Sequence, residues 1–396
     1  MTKRKVYMDN NATTPLHPEV KNTIIESFDL YGNPSSMHEF GRIVRARVEE
    51  ARVTVAGLIN ADPHEIIFTG GGSESNNTVL KRVTCPDRFC FHCADHKNEI
   101  VTSVIEHPSV LQTADFLKGS GVPVHYIPVD RTGKVDMNVL SDVVTDRTFL
   151  VSIMFANNEI GTIQDIREIV KLAHSRGALV HTDAVQAIGK VPVDVRSLDV
   201  DFLSLSGHKL YAPKGIGVLY VKKGSPFCTF IHGGHQEDGR RAGTLNNTGI
   251  LGLGKAAEIA LKEGAEEAAR LLKLKARLLK GIEERIPDIV VNGHPVDCLP
   301  GTLNVSFPGA EGESILLYLD LEGIAVSTGS ACATGSLEPS HVLLATGLGP
   351  EIAHGSIRFS MGRENTDEDV DYILEKLPPV ISRIRKMSTA YQGGKA

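Results

Sequence analysis

The feature that most limits what this chain can become is an alternation running from about Glu65 to Val221. Short apolar runs recur along it: E-I-I-F-T-G, E-I-V-T-S-V-I-E, T-F-L-V-S-I-M-F-A, A-L-V-H-T-D-A, D-F-L-S-L-S-G-H-K and G-I-G-V-L-Y-V-K. Helix-like or loop segments lie between several of them. Apolar runs this short fit strands of a sheet covered by helices on both faces. The pattern predicts an α/β domain with a mostly parallel sheet. The punctuation agrees. Pro108 falls where a helix begins, a position that tolerates its missing N–H. Gly177 follows D-I-R-E-I-V-K-L-A-H-S-R as a helix end.

After about Gly249 the texture changes. K-A-A-E-I-A-L-K-E-G-A-E-E-A-A-R-L-L-K-L-K-A-R-L-L-K-G-I-E-E-R is amphipathic and reads as one or two linking helices. A compact α+β segment follows, in which Thr366 and Asp369 form a capping-box-like helix start. With 396 residues, one large and one smaller domain are expected. Composition serves mainly to exclude. A formal net charge of −6 without a block of Lys/Arg argues against a nucleic acid or an anionic membrane as partner. No apolar run is long enough to span a bilayer. The opening M-T-K-R-K-V-Y-M-D-N has no apolar stretch behind its basic residues, so no secretory signal is expected. The cysteines, Cys85, Cys90, Cys93, Cys228, Cys298 and Cys332, read as thiols of a reducing cytoplasm.

Several residues are candidates for chemistry. Asp183 ends an apolar strand, at the edge where α/β folds place ligands; an aspartate there can equally cap a helix. Lys209 ends another such strand. A lysine there can form an imine with an aldehyde, although a lone lysine past a strand is more often a surface residue. The pair says more. Pyridoxal 5'-phosphate needs one lysine for its Schiff base and one acid against its pyridinium nitrogen. T-G-G-G-S-E-S-N-N, with Gly72 and Ser73, offers bare backbone N–H groups before a helix and so a phosphate site, or else a tight turn. It lacks the G-x-G-x-x-G and P-loop patterns. Ser206 and His208, beside Lys209, add phosphate donors. His107, just past a strand, can stack on a flat ring, shuttle a proton or simply bond within its loop. Asn158 and Gln186 offer amide donors on strand-end loops. Arg358 can grip a carboxylate at two points or serve a structural ion pair.

Together D-N-N-A-T-T-P, G-G-G-S-E-S-N-N, I-E-H-P-S-V, A-N-N-E-I-G-T-I-Q-D-I, H-T-D-A-V-Q-A-I-G-K, S-L-S-G-H-K-L-Y-A-P-K-G-I-G, R-R-A-G-T-L-N and S-T-G-S-A-C resemble the cysteine desulfurases of the NifS/IscS type, in the family's order over nearly the whole chain. The resemblance implies a fold-type I pyridoxal-phosphate enzyme. A large α/β domain, residues 17–260, would bind the cofactor. A small α+β domain, residues 1–16 and 261–396, would carry a mobile loop at about 326–340. It implies a homodimer that takes sulfur from L-cysteine and leaves L-alanine. Lys209 then resembles the Schiff-base lysine, Asp183 the pyridinium partner and His107 the residue stacked on the ring. Gln186 would meet the ring hydroxyl oxygen. Gly72, Ser73, Ser206 and His208 resemble the phosphate ligands, and Thr244 would reach the phosphate held by the other subunit. Asn158 and Arg358 would hold the substrate carboxylate.

In the soft stretch V-S-T-G-S-A-C-A-T-G-S, Cys332 would attack the substrate sulfur, hold it as a persulfide and carry it to an acceptor, such as an iron–sulfur scaffold protein of the IscU/NifU kind. A Gly/Ser/Ala loop would let one side chain visit both places. Two features depart from the family pattern. Cys85, Cys90, Cys93 and His96 form a C-x4-C-x2-C-x2-H run that fits no common zinc signature, so no metal is expected. The chain also ends soon after its last helix, short of the tail some relatives use to dock a scaffold. The rival readings are a selenocysteine lyase or other imine-forming enzyme, with Cys332 incidental, and a carrier that binds metal or sulfur without turnover.

Overall fold

The computed structural model describes residues 3–84, 97–328, 339–388 and 391. Cys332 and the Cys85–His96 run therefore lie outside the described residues. A short strand β1 (Val6–Tyr7) precedes helices α1 (Pro18–Ser27) and α2 (Glu39–Leu58). Seven strands then make the central sheet: β2 (Ile66–Thr69), β3 (Glu99–Ser103), β4 (Val124–Ile127), β5 (Thr148–Ser152), β6 (Leu179–Asp183), β7 (Phe202–Ser206) and β8 (Gly217–Val221). Their order is β2-β8-β7-β6-β5-β3-β4, and β8 alone runs antiparallel to its neighbours.

The reason these runs are largely apolar is visible in their packing. Successive side chains of a strand point to opposite faces. Val101, Val151, Val180, Leu203 and Val218 enter one core. Their chain neighbours Ile100, Leu150, Phe202 and Leu219 enter a second core across the sheet. Neither face meets water, so apolar residues dominate both register positions, and a polar one such as His181 is bonded within the sheet, to Ser152 and Ser204. β4 was not legible as a strand. It lies between Pro123 and Pro128 at the sheet edge, and its two middle residues are only half-buried.

The linking segment is one helix, Asn247–Arg285. Its first half buries Ile250, Leu253 and Ala257 against the large core. Its second half buries Leu271, Leu274, Leu278 and Ile282 in a different core. That second core is built on the antiparallel strands β9 (Val290–Asn292), β10 (Thr302–Ser306) and β12 (Ser356–Ser360), in the order β12-β10-β9. The helices Gly312–Leu321 and Asp367–Met387 cover it. β1 pairs in parallel with β11 (Ile324–Ala325), which brings Val6 and Met8 into the same core. At the start of Asp367–Met387 the Asp369 carboxylate accepts the Thr366 N–H at 3.1 Å, as the capping pattern predicts.

Candidate active site

The sheet delivers its functional loops to one edge. β3, β5, β6 and β7 are parallel, so Ser103, Ser152, Asp183 and Ser206 all end there. Because β8 opposes both β7 and β2, Gly217 lies across from Ser206 and from Thr69, and the loop after β2 joins the same edge. This is where open α/β sheets bind ligands. The edge holds a cavity of about 340 Å³. Lys209, Asp183, His107, Gln186, Asn158, Arg358, Gly72, Ser73, Ser206 and His208 all line it. Thr244 does not; it is exposed on the loop before the long helix.

Asp183 is buried, 6% exposed, and does not cap a helix. One carboxylate oxygen accepts the Val185 N–H at 3.0 Å and the other accepts the Asn76 amide at 2.7 Å. Two donors, one on each oxygen, hold the carboxylate in one orientation. Asn76 lies in the helix α3 (Gly72–Leu80), and its Oδ1 is buried without a partner. The Asn76 amide also donates to Ser109 Oγ at 2.8 Å, which in turn sits 2.8 Å from His107 Nδ1. His107 is the N-cap of α4 (Pro108–Gly119): its Nδ1 accepts the Ser109 N–H at 3.1 Å. That bond places any proton of the neutral ring on Nε2. Burial, with Lys209 and His341 nearby, holds the imidazole below its ordinary range despite the attraction of Asp183. The neutral ring is thereby favoured.

The first turn of α3 has no side-chain cap on Gly71. Its orphan N–H groups face an end with positive helix-dipole charge. The glycines there are demanded by contact. A Cβ on Gly217 would lie 2.6 Å from Gly71 Cα, and one on Gly72 would lie 2.8 Å from Val185 Cγ2. Arg241 clamps α3 through Glu74, with Nε 2.9 Å and Nη2 3.1 Å from the two carboxylate oxygens. His208 is held well down, at about 4, by burial and by Lys209.

Lys209 Nζ donates to the carbonyls of Asn11 and Ala12 at 2.5 and 2.7 Å. Gln186 Nε2 donates to the same Asn11 carbonyl at 2.9 Å. Arg358, on β12, donates to Asn158 O at 3.1 Å and to Asp9 at 2.7 Å, while its Nε is buried without a partner. Sequence reasoning gave no role to Asn11, Asn76 or Ser109. All three were inside quoted motifs, D-N-N-A-T-T-P, G-G-G-S-E-S-N-N and I-E-H-P-S-V, but nothing local marks an asparagine or a serine as a partner of a distant side chain.

Comparison with known proteins adds the family. The aminotransferase class-V pattern matches residues 6–373. A cysteine desulfurase IscS of Clostridium botulinum is 48% identical over 393 residues, 98% of this chain and 97% of that protein. Cysteine desulfurase NifS of Azotobacter vinelandii is 43% identical over 390 residues, 98% of this chain and 95% of its own. Among solved structures a NifS-like protein superposes with a TM-score of 0.88 at 40% identity, covering 96% of this chain and all (100%) of that one. SspA, solved in complex with cysteine, gives 0.78 at 34% identity, covering 92% of this chain and 100% of its own. A lysine, a buried carboxylate and a glycine cradle on one sheet edge, in a chain this similar, admit one conclusion: it belongs to the aminotransferase class-V family, among the cysteine desulfurases of the IscS/NifS type, which are pyridoxal-phosphate enzymes.

Proposed function

We propose that the chain removes sulfur from L-cysteine, leaving L-alanine, and stores the sulfur as a persulfide on Cys332 for delivery to an iron–sulfur scaffold protein. The observation that carries this reading is the convergence of Lys209, Asp183 and Arg358 on one cavity. The residues present fit pyridoxal phosphate. The cradle of Gly71, Gly72 and Gly217 admits no Cβ without a clash or strain, and Asn76 Oδ1 and Arg358 Nε wait buried without partners.

Lys209 would hold the cofactor, Asp183 would face its ring nitrogen, and His107 would lie on its ring. Gln186 would donate to its ring oxygen, and Gly72, Ser73, Ser206 and His208 would take its phosphate. When bound, the group supplies an electron sink that makes a carbanion at the substrate Cα tolerable. The remaining work belongs to the chain. Arg358 and Asn158 hold the substrate carboxylate. Lys209 Nζ, as a free amine beside the substrate, would take the Cα proton. Cys332, as thiolate, forms an S–S bond to the substrate sulfur as the Cβ–S bond breaks, and proton return at the carbon completes alanine.

The chain divides, on this reading, into a large unit of residues 17–260 and a small unit of residues 1–16 and 261–396, each with its own hydrophobic core. We further infer a homodimer, with Thr244 reaching the partner's phosphate. Support comes from the large apolar side chains left exposed from α1 into α2: Ile25, Phe28, Tyr31, Met37, Phe40 and Ile43. No described helix is long and apolar enough to cross a membrane. A cytoplasmic location is inferred from the cysteines, which read as thiols of a reducing compartment.

The test follows label from cysteine sulfur. The purified protein should show visible absorbance that Lys209→Ala removes. Cys332→Ser should keep the absorbance and lose sulfur release. Uptake of the cofactor on another lysine, or full sulfur release by Cys332→Ser, refutes the reading, the latter in favour of a lyase with Cys332 incidental.

A further inference from the structure

Behind the site lies a lysine that the proposed chemistry does not use. Lys190 follows the turn after β6 and, with Lys209, lines a second cavity of about 40 Å³, room for about one water. Its ammonium donates to Gln186 Oε1 at 2.9 Å and to Asn11 Oδ1 at 3.2 Å. Both acceptors are buried, Gln186 5% and Asn11 4% exposed.

The donor rules settle the orientation of this cluster. A backbone carbonyl only accepts. The Asn11 amide donates to Asn158 O at 3.1 Å, so Asn11 Oδ1 must face the other way, toward Lys190. The Gln186 amide donates to Asn11 O at 2.9 Å, so Gln186 Oε1 must face Lys190 too. One amine thus closes two buried carbonyl oxygens with two hydrogens, which it has whether charged or neutral. The second hydrogen of Gln186 Nε2 remains for the main cavity, which Gln186 lines.

We propose that Lys190 is a positioning residue that acts through Gln186, fixing its amide so that a donor, not an acceptor, is presented to the ring oxygen of the cofactor. The inference rests on the cofactor reading above. Burial, then the cations Lys209 and Arg358, bring Lys190 down to about 7, so it serves this role near neutrality without a full charge beside Lys209. His208 also feels Lys190, and His17, Glu267 and Arg363 line the small cavity on its far side.

The test is a double-mutant cycle on the intact protein, read by equilibrium binding of pyridoxal phosphate and by the position of the visible absorbance band. Lys190→Met should weaken cofactor binding roughly three- to tenfold, the loss of about one hydrogen bond, and displace the band. In a Gln186→Ala background the same substitution should change neither reading further. Should Lys190→Met not fold, Lys190→Gln, which keeps a donor toward one acceptor, carries the same comparison with a smaller effect. An equal loss in both backgrounds, or no loss in either, overturns the proposal. Failure of the unsubstituted protein to bind the cofactor at Lys209 would instead refute the functional reading, so the two failures are distinct.

Discussion

Glu106, next to His107 in I-E-H-P, gives the most quantitative test of this structure. The carboxyl is 1% exposed. Its Oε1 accepts from Ser103 Oγ at 2.6 Å and from the Met154 N–H at 2.9 Å, while Oε2 is buried without a partner. Burial raises it from 4.5 to about 8, against those two bonds, with Asp183 adding to the rise. The folded chain therefore keeps a proton that the unfolded chain gives up. A raised carboxyl contributes stability that is full below about pH 4.5 and lost as pH rises through about 8. Each pH unit between the two values costs about 1.4 kcal/mol, which integrates to roughly 2 kcal/mol between about pH 6 and about pH 8. Glu106→Gln imitates the protonated form: its carbonyl keeps both bonds and nothing titrates. Denaturant unfolding of both proteins at the two pH values measures the difference. The stability of the glutamine variant relative to the parent should rise by roughly 2 kcal/mol from the lower pH to the higher. Glu159, raised by burial to about 7, is common to both proteins and cancels. A difference that stays constant with pH would show that Glu106 is ionised in the folded chain and that its burial is misjudged.

Further outcomes follow from the same geometry. Gly217→Ala drives a Cβ to 2.6 Å from Gly71 Cα, so the cradle must open, and cofactor affinity should fall roughly tenfold or more in equilibrium binding. Arg358→Lys keeps the charge but loses the fork, so the KM for cysteine should rise roughly tenfold with kcat changed less, and an unchanged KM would remove Arg358 from the substrate. His181, buried between Ser152 Oγ and Ser204 Oγ at 2.8 and 2.9 Å, is lowered by burial from 6.5 to about 4. The folded state thus excludes a proton that the unfolded chain binds, and stability is lost as pH falls from about 6.5 through about 4. His181→Gln should flatten that acid limb in pH-dependent melting.

The parts of this architecture legible in the sequence are those that local periodicity controls. Doubly covered strands are largely apolar on both faces, so β3, β5, β6, β7 and β8 announce themselves. Asp183 and Lys209 could be picked out because each interrupts such a run at its end. The edge strand β4 lacks that signature. The helix Asn247–Arg285 could not be told from two, because Gly264 within K-E-G-A reads as a break. It continues because its halves bury their faces in different cores, which is tertiary information. Asn76 and Asn11 are the clearest illegible residues. Asn76 meets Asp183 across 107 positions, and Asn11 meets Gln186 across 175. No window of sequence contains either pair.

The same long-range closure explains how Arg358, the arginine proposed to meet the substrate, is held in place. Arg358 comes from the strand β12 of the second core, Asn158 from a loop of the large sheet, and Asp9 from the segment after β1. Asn11, two residues beyond Asp9, ties that segment to Asn158 O at 3.1 Å and to Thr302 Oγ1 at 2.9 Å. The guanidinium has five N–H donors. One reaches Asn158 O and one reaches Asp9, so the plane of the fork is fixed from two sides, while Nε remains buried and unpartnered. An unmade buried bond of this kind costs about 1–3 kcal/mol. On the proposed function, an arriving carboxylate would accept from the fork, which lines the cavity. Binding then needs no departure of Asp9 and no search of rotamers by Arg358. A lysine at this position, without the planar fork and free to rotate, would be a poor substitute for a guanidinium held from two sides.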